Sequence, residues 1–540
     1  MNQPNIVLIL ADDLGFSDLG CYGSEINTPN IDSMARDGVR FSQMYNMARC
    51  CPTRASLLTG LYPHQTGVGH MTGDYGVPEY QGYLNRNCAT IAEVLKTSGY
   101  RTQLSGKWHV GGDYPLQKPE TWIPGDARHP TPTQRGFDHF WGTLTGAGSF
   151  FAPPTLMDGE TPVTVDREDF YYTDEITSHA VRMIEESAAG EVPFFSYVAY
   201  TSPHWPLHAL DEDIEKYEGV YDGGWDELRK SRHAGLKELG ILDESWEMAP
   251  RDRDSLPWGQ AENKEWESRR MAVYAAQIDR MDQGVGRIME TLESTGVRDN
   301  TLVIFLSDNG GCAEFLAEDT NTPDRRQFDT AMWNGERMRM GNNPDIDPGP
   351  ADTFQSYDLP WANASNTPFR LHKRWTHEGG ISTPAIISWP DRIKKSSLVH
   401  EPTHITDIAA TIYDVAGAEY PAELAGEELT PLEGHSFRRA IKNGGWVRPA
   451  PIYWEHEGSR AVRLGDWKLV SEGNTRWELY NMKSDRTELN DLSGAQPEVL
   501  ARMVRMYEDW AAHAGALPWP VVPENTASPR SGTKHIHDVG

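Results

Sequence analysis

The sequence predicts an α/β fold: a large, mostly parallel or mixed sheet covered by helices on both faces, followed by a smaller C-terminal antiparallel sheet with a helix. Three observations carry this: short apolar runs that end in polar clusters, amphipathic helical patterns between them, and closely spaced strands with tight turns after about residue 445. The chain has 540 residues, 38% hydrophobic and 24% charged, with 18 Trp and 21 Tyr, a composition able to build a large core and unlike that of a disordered or fibrous protein.

The first run, Asn5-Ile6-Val7-Leu8-Ile9-Leu10, is apolar without alternation, as in a strand buried on both faces, and stops at Ala11-Asp12-Asp13-Leu14-Gly15. A second, near Tyr100 to Leu104, leads into Gly106-Lys107-Trp108-His109. Phe194 to Tyr200 ends at Thr201-Ser202-Pro203-His204, and Thr301 to Leu306 ends at Ser307-Asp308-Asn309-Gly310-Gly311. A weaker run spans Thr383 to Trp389. Tyr274, Ile278, Met281, Val285, Ile288 and Leu292 keep helical spacing, and Gly296 supplies a stop. Residues 208–270 are highly charged and broken by Gly and Pro, and read as a solvated, partly helical insertion. Beyond Lys442-Asn443-Gly444-Gly445, the runs Ile452 to His456, Arg460 to Val470 and Trp477 to Tyr480 predict a small antiparallel sheet, and an apolar stripe predicts a helix from about Pro497 to Ala514. The expected division is 1–445 and 446–540, the second part ending in a polar tail from Pro523 to Gly540.

A formal net charge of -29 opposes binding to nucleic acid or anionic membranes, and an anionic substrate would need local cations. No run is long enough to span a membrane. The N-terminus shows no basic region, apolar stretch and cleavage site, so a cytoplasmic location is expected for the chain as given, with a trimmed periplasmic or secreted protein as the alternative. The five cysteines, Cys21, Cys50, Cys51, Cys88 and Cys312, are too scattered for a disulfide framework.

Ligands bind beyond the carboxyl ends of strands in such sheets, where the polar clusters fall. Either acidic pair alone reads as a cap or turn former. Together, Asp12, Asp13, Asp308 and Asn309 offer three carboxylates and an amide, an all-oxygen set suited to Ca²⁺ or Mg²⁺ rather than zinc. Lys107, His109, His204 and the pair His372-Lys373, with Arg54, form a second group. Each alone is ordinary; their shared placement at strand ends in an acidic protein points to an anion site. In Cys50-Cys51-Pro52-Thr53-Arg54, Cys50 reads either as a buried core thiol or as a nucleophile with a nearby His.

Cys50-x-Pro52-x-Arg54, followed by four residues and Thr59-Gly60, resembles the signature of the type I sulfatases of the alkaline phosphatase superfamily. Asp12-Asp13, Gly106-Lys107-Trp108-His109, Ser202-Pro203-His204, Ser307-Asp308-Asn309-Gly310 and Lys373 follow in the family's order. The resemblance spans residue 5 to about 390, is strongest to bacterial arylsulfatases, and extends through Leu479-Tyr480-Asn481-Met482 to Asn490-Asp491-Leu492. One departure is Ser382 in Glu378-Gly379-Gly380-Ile381-Ser382, where the family often has Arg.

The resemblance implies an alkaline phosphatase-like fold and hydrolysis of sulfate esters, arylsulfatase-type, with promiscuity toward phosphate diesters and phosphonates. It implies that Cys50 is oxidised to formylglycine by a separate formylglycine-generating enzyme acting before folding, with Cys51 left as a thiol. One divalent cation, Ca²⁺ with Mg²⁺ or Mn²⁺ as substitutes, would sit on Asp12, Asp13, Asp308 and Asn309. One hydroxyl of the aldehyde hydrate would attack sulfur, and the other would lose a proton as sulfate is expelled by C–O cleavage. Arg54 and Lys107 would stabilise the hydrate, His109 would take that proton, Lys373 would pair with sulfate oxygens and His204 would protonate the leaving oxygen.

The rivals are a phosphonate monoester or phosphodiester hydrolase on the same residues, a two-metal phosphatase and a non-catalytic binding protein. The implied partner is a small-molecule or saccharide sulfate ester, and a homodimer is compatible with the sequence. Pocket walls are expected from Gly67 to Leu84, Gly146 to Phe170 and Cys312 to Thr367, with Trp333 and Trp361 as candidate stacking residues.

Overall fold

The computed structural model describes residues 3–116, 118–318, 331–443 and 445–521, so the expected tail and part of the 312–367 wall lie outside the described residues. An 11-stranded sheet organises the chain, in the order Ser397–Val399, Val39–Tyr45, Ser382–Ser388, Thr301–Ser307, Asn5–Asp12, Phe194–Pro203, Arg101–Gly106, His139–Thr143, Leu156–Asp158 and Thr161–Pro162, with Thr403–His404 also paired to Val39–Tyr45. The five strands from Thr301–Ser307 to His139–Thr143 are parallel, and Ser382–Ser388 runs antiparallel to both its neighbours. The sheet is therefore mixed, as the sequence predicts.

Asn5–Asp12 shows why its residues form a central strand. Ile6, Leu8 and Leu10 enter one core, with the Cys50–Thr59 and Ile405–Ala416 helices; Val7, Ile9 and Ala11 enter the other, with Tyr172–Ala188 and Lys264–Ser294. Two apolar faces need two layers of helices, and both are present.

Three expectations need correction. The charged stretch 208–270 is not simply solvated: its Gly224–Glu238 helix buries Trp225, Arg229, Arg232 and Leu236. Arg232 lies between Asp18 at 2.5 Å and Glu25 at 2.8 Å, so its charge is matched inside the protein rather than in water. Trp361 does not face a pocket; it is fully buried, edge-on to Trp225 at 5.3 Å, and donates its indole N–H to Glu267. The run from Arg460 to Val470 is two strands, Ser459–Leu464 and Trp467–Ser471, folded back at Gly465, whose φ of 56° suits glycine.

With Ile452–His456 and Glu478–Asn481 these strands form a four-stranded antiparallel sheet. The Pro497–Ala514 helix lays Met503, Tyr507 and Trp510 on it, and Gly515 ends the helix with φ 76°. Trp454 and Leu469 share a continuous core with Leu57 and Leu58 of the Cys50–Thr59 helix. Among the described residues, no helix is long and apolar enough to cross a membrane.

Candidate active site

Parallel pairing brings the polar clusters to one edge. Ala11 lies opposite Ser307, Leu10 opposite Ala199, and Gly106 opposite Ala199, so Asp12 and Asp308 leave adjacent strands, and Lys107 the strand on the far side of Phe194–Pro203, all at the same end. His204 follows the Phe194–Pro203 strand, and Lys373 is brought in by a loop whose backbone N–H donates to the Gly311 carbonyl. Asp13, Ala48, His109, Leu371 and Arg374 all have positive φ, between 59° and 91°, a concentration of strained non-glycine backbone around the site.

Cys50 is the first residue of the Cys50–Thr59 helix, where free backbone N–H groups favour negative charge. The helix is buried all round, including Arg54. Sulfur atoms of Cys50 and Cys51 and a ring nitrogen of His109 lie within 4.8 Å of one another. Cys51 acts as a hydrogen-bond donor that pulls the Cys50 thiol well below its ordinary value, aided by Lys107, His109 and Lys373 against burial. Burial pushes Cys51 the other way.

The candidate metal ligands converge. Asp13 N–H donates to Asp308 Oδ1 at 3.2 Å, and Asn309 Nδ2 donates to Asp13 Oδ1 at 2.7 Å. Lys107 Nζ is 2.5 Å from Asp12 Oδ2, Lys373 Nζ is 2.7 Å from Asp13 Oδ1, and Arg54 donates twice to Asp308 Oδ2, at 2.9 and 3.0 Å. Arg54 also donates to the Lys107 carbonyl, so the two cations expected beside the nucleophile's hydrate are engaged with Asp308 and Asp12. Burial raises Asp308 well above the carboxylate range, with Asp12 adding to it; burial likewise raises Asp12. Burial also acts to raise Asp13, but His204 and Lys373 outweigh it and hold it low.

Asp12 Oδ1 and Asn309 Oδ1 are buried without a hydrogen-bond partner. Unmatched oxygens beside crowded carboxylates are what a hard divalent cation satisfies, so the four residues fit one.

His204 Nδ1 is 2.6 Å from the Trp205 carbonyl, which only accepts, so Nδ1 carries a proton. Nε2 faces Lys373 Nζ at 3.3 Å and Asp13 at 3.4 Å. Burial pushes His204 down to about 4, despite Asp13, so the resting ring is neutral with Nε2 an acceptor. Burial pushes His109 to about 4 as well.

The pocket mouth adds residues that the sequence reading missed. Arg49, Glu314, Phe315 and Arg374 line it beside Lys373, and Arg49 meets Glu314 at 2.8 Å. Arg374 pairs with Glu457 of the C-terminal sheet. Arg49 and Arg374 directly adjoin Cys50 and Lys373, and that adjacency was the available signal. Of the expected walls, the 67–84 segment reaches Arg49 through Met71, and Gly146 packs on His109. Trp333 packs, partly buried, on a cluster with Trp205 and Phe354.

Comparison with known proteins bears on this geometry. A family model described as "Sulfatase" matches residues 4–418, and one described as "N-sulphoglucosamine sulphohydrolase, C-terminal" matches residues 369–509. An uncharacterized sulfatase of Schizosaccharomyces pombe is 33% identical, covering 96% of this chain and 95% of its own. An arylsulfatase of Klebsiella aerogenes is 34% identical over 81% of this chain and 91% of its own. The crystal structure of Ps i-CgsB in complex with k-i-k-neocarrahexaose superposes with TM-score 0.65 and 26% identity, covering 94% of this chain and 93% of that one.

Proposed function

From the premise that the chain belongs to the sulfatase family, the type I sulfuric ester hydrolases of the alkaline phosphatase superfamily, we propose that it hydrolyses aryl or saccharide sulfate esters through formylglycine made from Cys50. The observation that supports this reading is the meeting of Cys50, at a helix N-terminus, with His109, Lys107, His204 and Lys373 above four oxygen ligands.

Asp12, Asp13, Asp308 and Asn309 would hold a divalent cation, Ca²⁺ or Mg²⁺. Bound there, it supplies Lewis-acid polarisation of a sulfate oxygen and favours the ionised form of the attacking hydroxyl. Lys373 pairs with a sulfate oxygen, exchanging part of its hold on Asp13. His109, neutral and beside residue 50, accepts the proton of the second hydroxyl during sulfate release. His204 delivers a proton from Nε2 to the leaving oxygen, which requires its cationic form. An anionic ester beside Nε2 favours that form and opposes the burial that keeps the resting ring neutral. Arg54 and Lys107 hold Asp308 and Asp12 in place and offset their charge, which lowers the repulsion of an anion entering an acidic protein.

Mass analysis of the peptide containing Cys50 tests the reading directly: active enzyme carries an aldehyde at residue 50 and an alkylatable thiol at Cys51, activity tracks the converted fraction, and Cys50→Ala abolishes turnover of nitrophenyl sulfate. Full activity with an unmodified Cys50 thiol would overturn it.

A further inference from the structure

A second group of metal-ligating side chains lies away from the four oxygen ligands. We propose that His70, His456 and Glu457 bind a divalent cation of the zinc type.

Each residue offers one ligand atom, and the three atoms lie within 4.8 Å of one another. His70 Nε2 is 2.8 Å from Glu457 Oε1, and His456 Nε2 is 3.9 Å from the same oxygen. The two imidazoles are stacked, 5.2 Å between centroids and 9° from parallel. Tyr75 hydroxyl holds His70 Nδ1 at 3.1 Å, which directs Nε2 at Glu457. Such a partner on the distal nitrogen fixes the orientation of a ligating histidine. Arg374 takes Glu457 Oε2, leaving Oε1 toward the histidines.

His456 supplies the independent sign. Its side chain is 1% exposed, and neither ring nitrogen has a hydrogen-bond partner. A buried imidazole with both nitrogens unsatisfied is costly as a structural residue, and a bond from Nε2 to a cation removes part of that cost. Two imidazoles and one carboxylate select zinc or its neighbours, with a fourth position open to water. This is chemically unlike the all-oxygen set at the sheet edge. His70 and Glu457 are 12% and 13% exposed, so an ion has access from solvent. The ion would tie the 67–84 segment to the turn between Ile452–His456 and Ser459–Leu464, and would compete with Arg374 at the pocket mouth for Glu457.

The test uses the full-length, untagged protein saturated with Ca²⁺ or Mg²⁺, then equilibrated with Zn²⁺ and counted by elemental analysis; Co²⁺ serves as a spectroscopic probe. The parent protein is expected to hold one Zn²⁺ more per chain than His70→Ala or His456→Ala, and to show the strong visible bands of four-coordinate Co²⁺ that these variants lose. Glu457→Gln should weaken Zn²⁺ binding at least about tenfold, since loss of even an outer partner of a metal ligand costs about that much. Comparing each variant with its parent cancels ions held elsewhere. If His456→Ala fails to fold, the more exposed His70→Ala carries the test, with an unchanged far-UV spectrum and unfolding midpoint as the fold control. Equal Zn²⁺ stoichiometry and affinity in parent and His70→Ala, with no difference in the Co²⁺ spectrum, would overturn the proposal.

Discussion

His109 fits its place because residue 146 is glycine: a Cβ there would come 2.0 Å from His109 Cε1. Its proposed role acts after the first product has left, which gives it a distinct kinetic mark. His109→Ala should release one phenol per site from nitrophenyl sulfate in a burst and then turn over slowly, with kcat lower by ~10²–10⁴ and the burst rate nearly unchanged. A loss of the burst together with turnover would place His109 in the first step instead. Because burial holds this histidine below the ordinary imidazole value, its base form persists into acid, and kcat should not fall as pH drops through 7 and 6. His204 carries a different mark. A nitrophenolate leaves without help, whereas an alkoxide needs a proton, so His204→Ala should cost much of ~10²–10⁴ on alkyl sulfates and far less on nitrophenyl sulfate. One common factor across leaving groups would make His204 a binding residue. Lys373, 3.3 Å away, can stabilise the same oxygen, and the double variant with Lys373 separates the two contributions.

At the scale of elements, the departure at Ser382 finds its explanation. Glu378 begins the short Glu378–Ile381 helix and is fully buried, with Ser382 Oγ donating to its Oε2 at 2.9 Å. No arginine stands at position 382, yet cations arrive from the small sheet and the turn after it. Lys468 meets Glu378 Oε1 at 2.9 Å, and Arg486 meets Oε2 at 3.1 Å while also donating to Ser382. Lys468 and Arg486 hold Glu378 down to about 2 against burial. Removing one partner of a buried pair leaves a charge without compensation, so Arg486→Met should lower unfolding free energy by about 3–5 kcal/mol in chemical denaturation. A change under about 1 kcal/mol would show that Lys468 suffices.

These links were not legible in the sequence, because Arg486 lies 108 residues from Glu378 and nothing local marks the pairing. The strand ends were legible: apolar runs stop where backbone emerges into the crevice, and Asp12, Lys107, His204 and Asp308 stand at those stops. Buried charge was the systematic blind spot. Composition marks Arg232 and its helix as solvated, and only the fold reveals Asp18 and Glu25 waiting for it.

For the whole molecule, the small C-terminal sheet is part of the frame around the nucleophile. Trp454 donates its indole N–H to the Asn46 carbonyl at 2.7 Å, four residues before Cys50, and Lys468 and Arg486 complete the Glu378 cluster. A chain ending at residue 445 should therefore be insoluble or lack a cooperative transition, while the intact protein melts as one unit in calorimetry; two well-separated transitions would contradict the shared core. The Asn46–Trp454 bond also carries a schedule. The segment that leads to Cys50 leaves the ribosome 408 residues before the tryptophan that helps enclose it. At synthesis rates of ~5–20 residues per second, the interval is about 20–80 s. During it, Cys50 can be neither in its final bed nor sealed from other proteins by the late sheet. If Cys50 is converted as proposed, late delivery of this wall would give the converting enzyme a timed opening, its length set by how far down the message Trp454 is encoded.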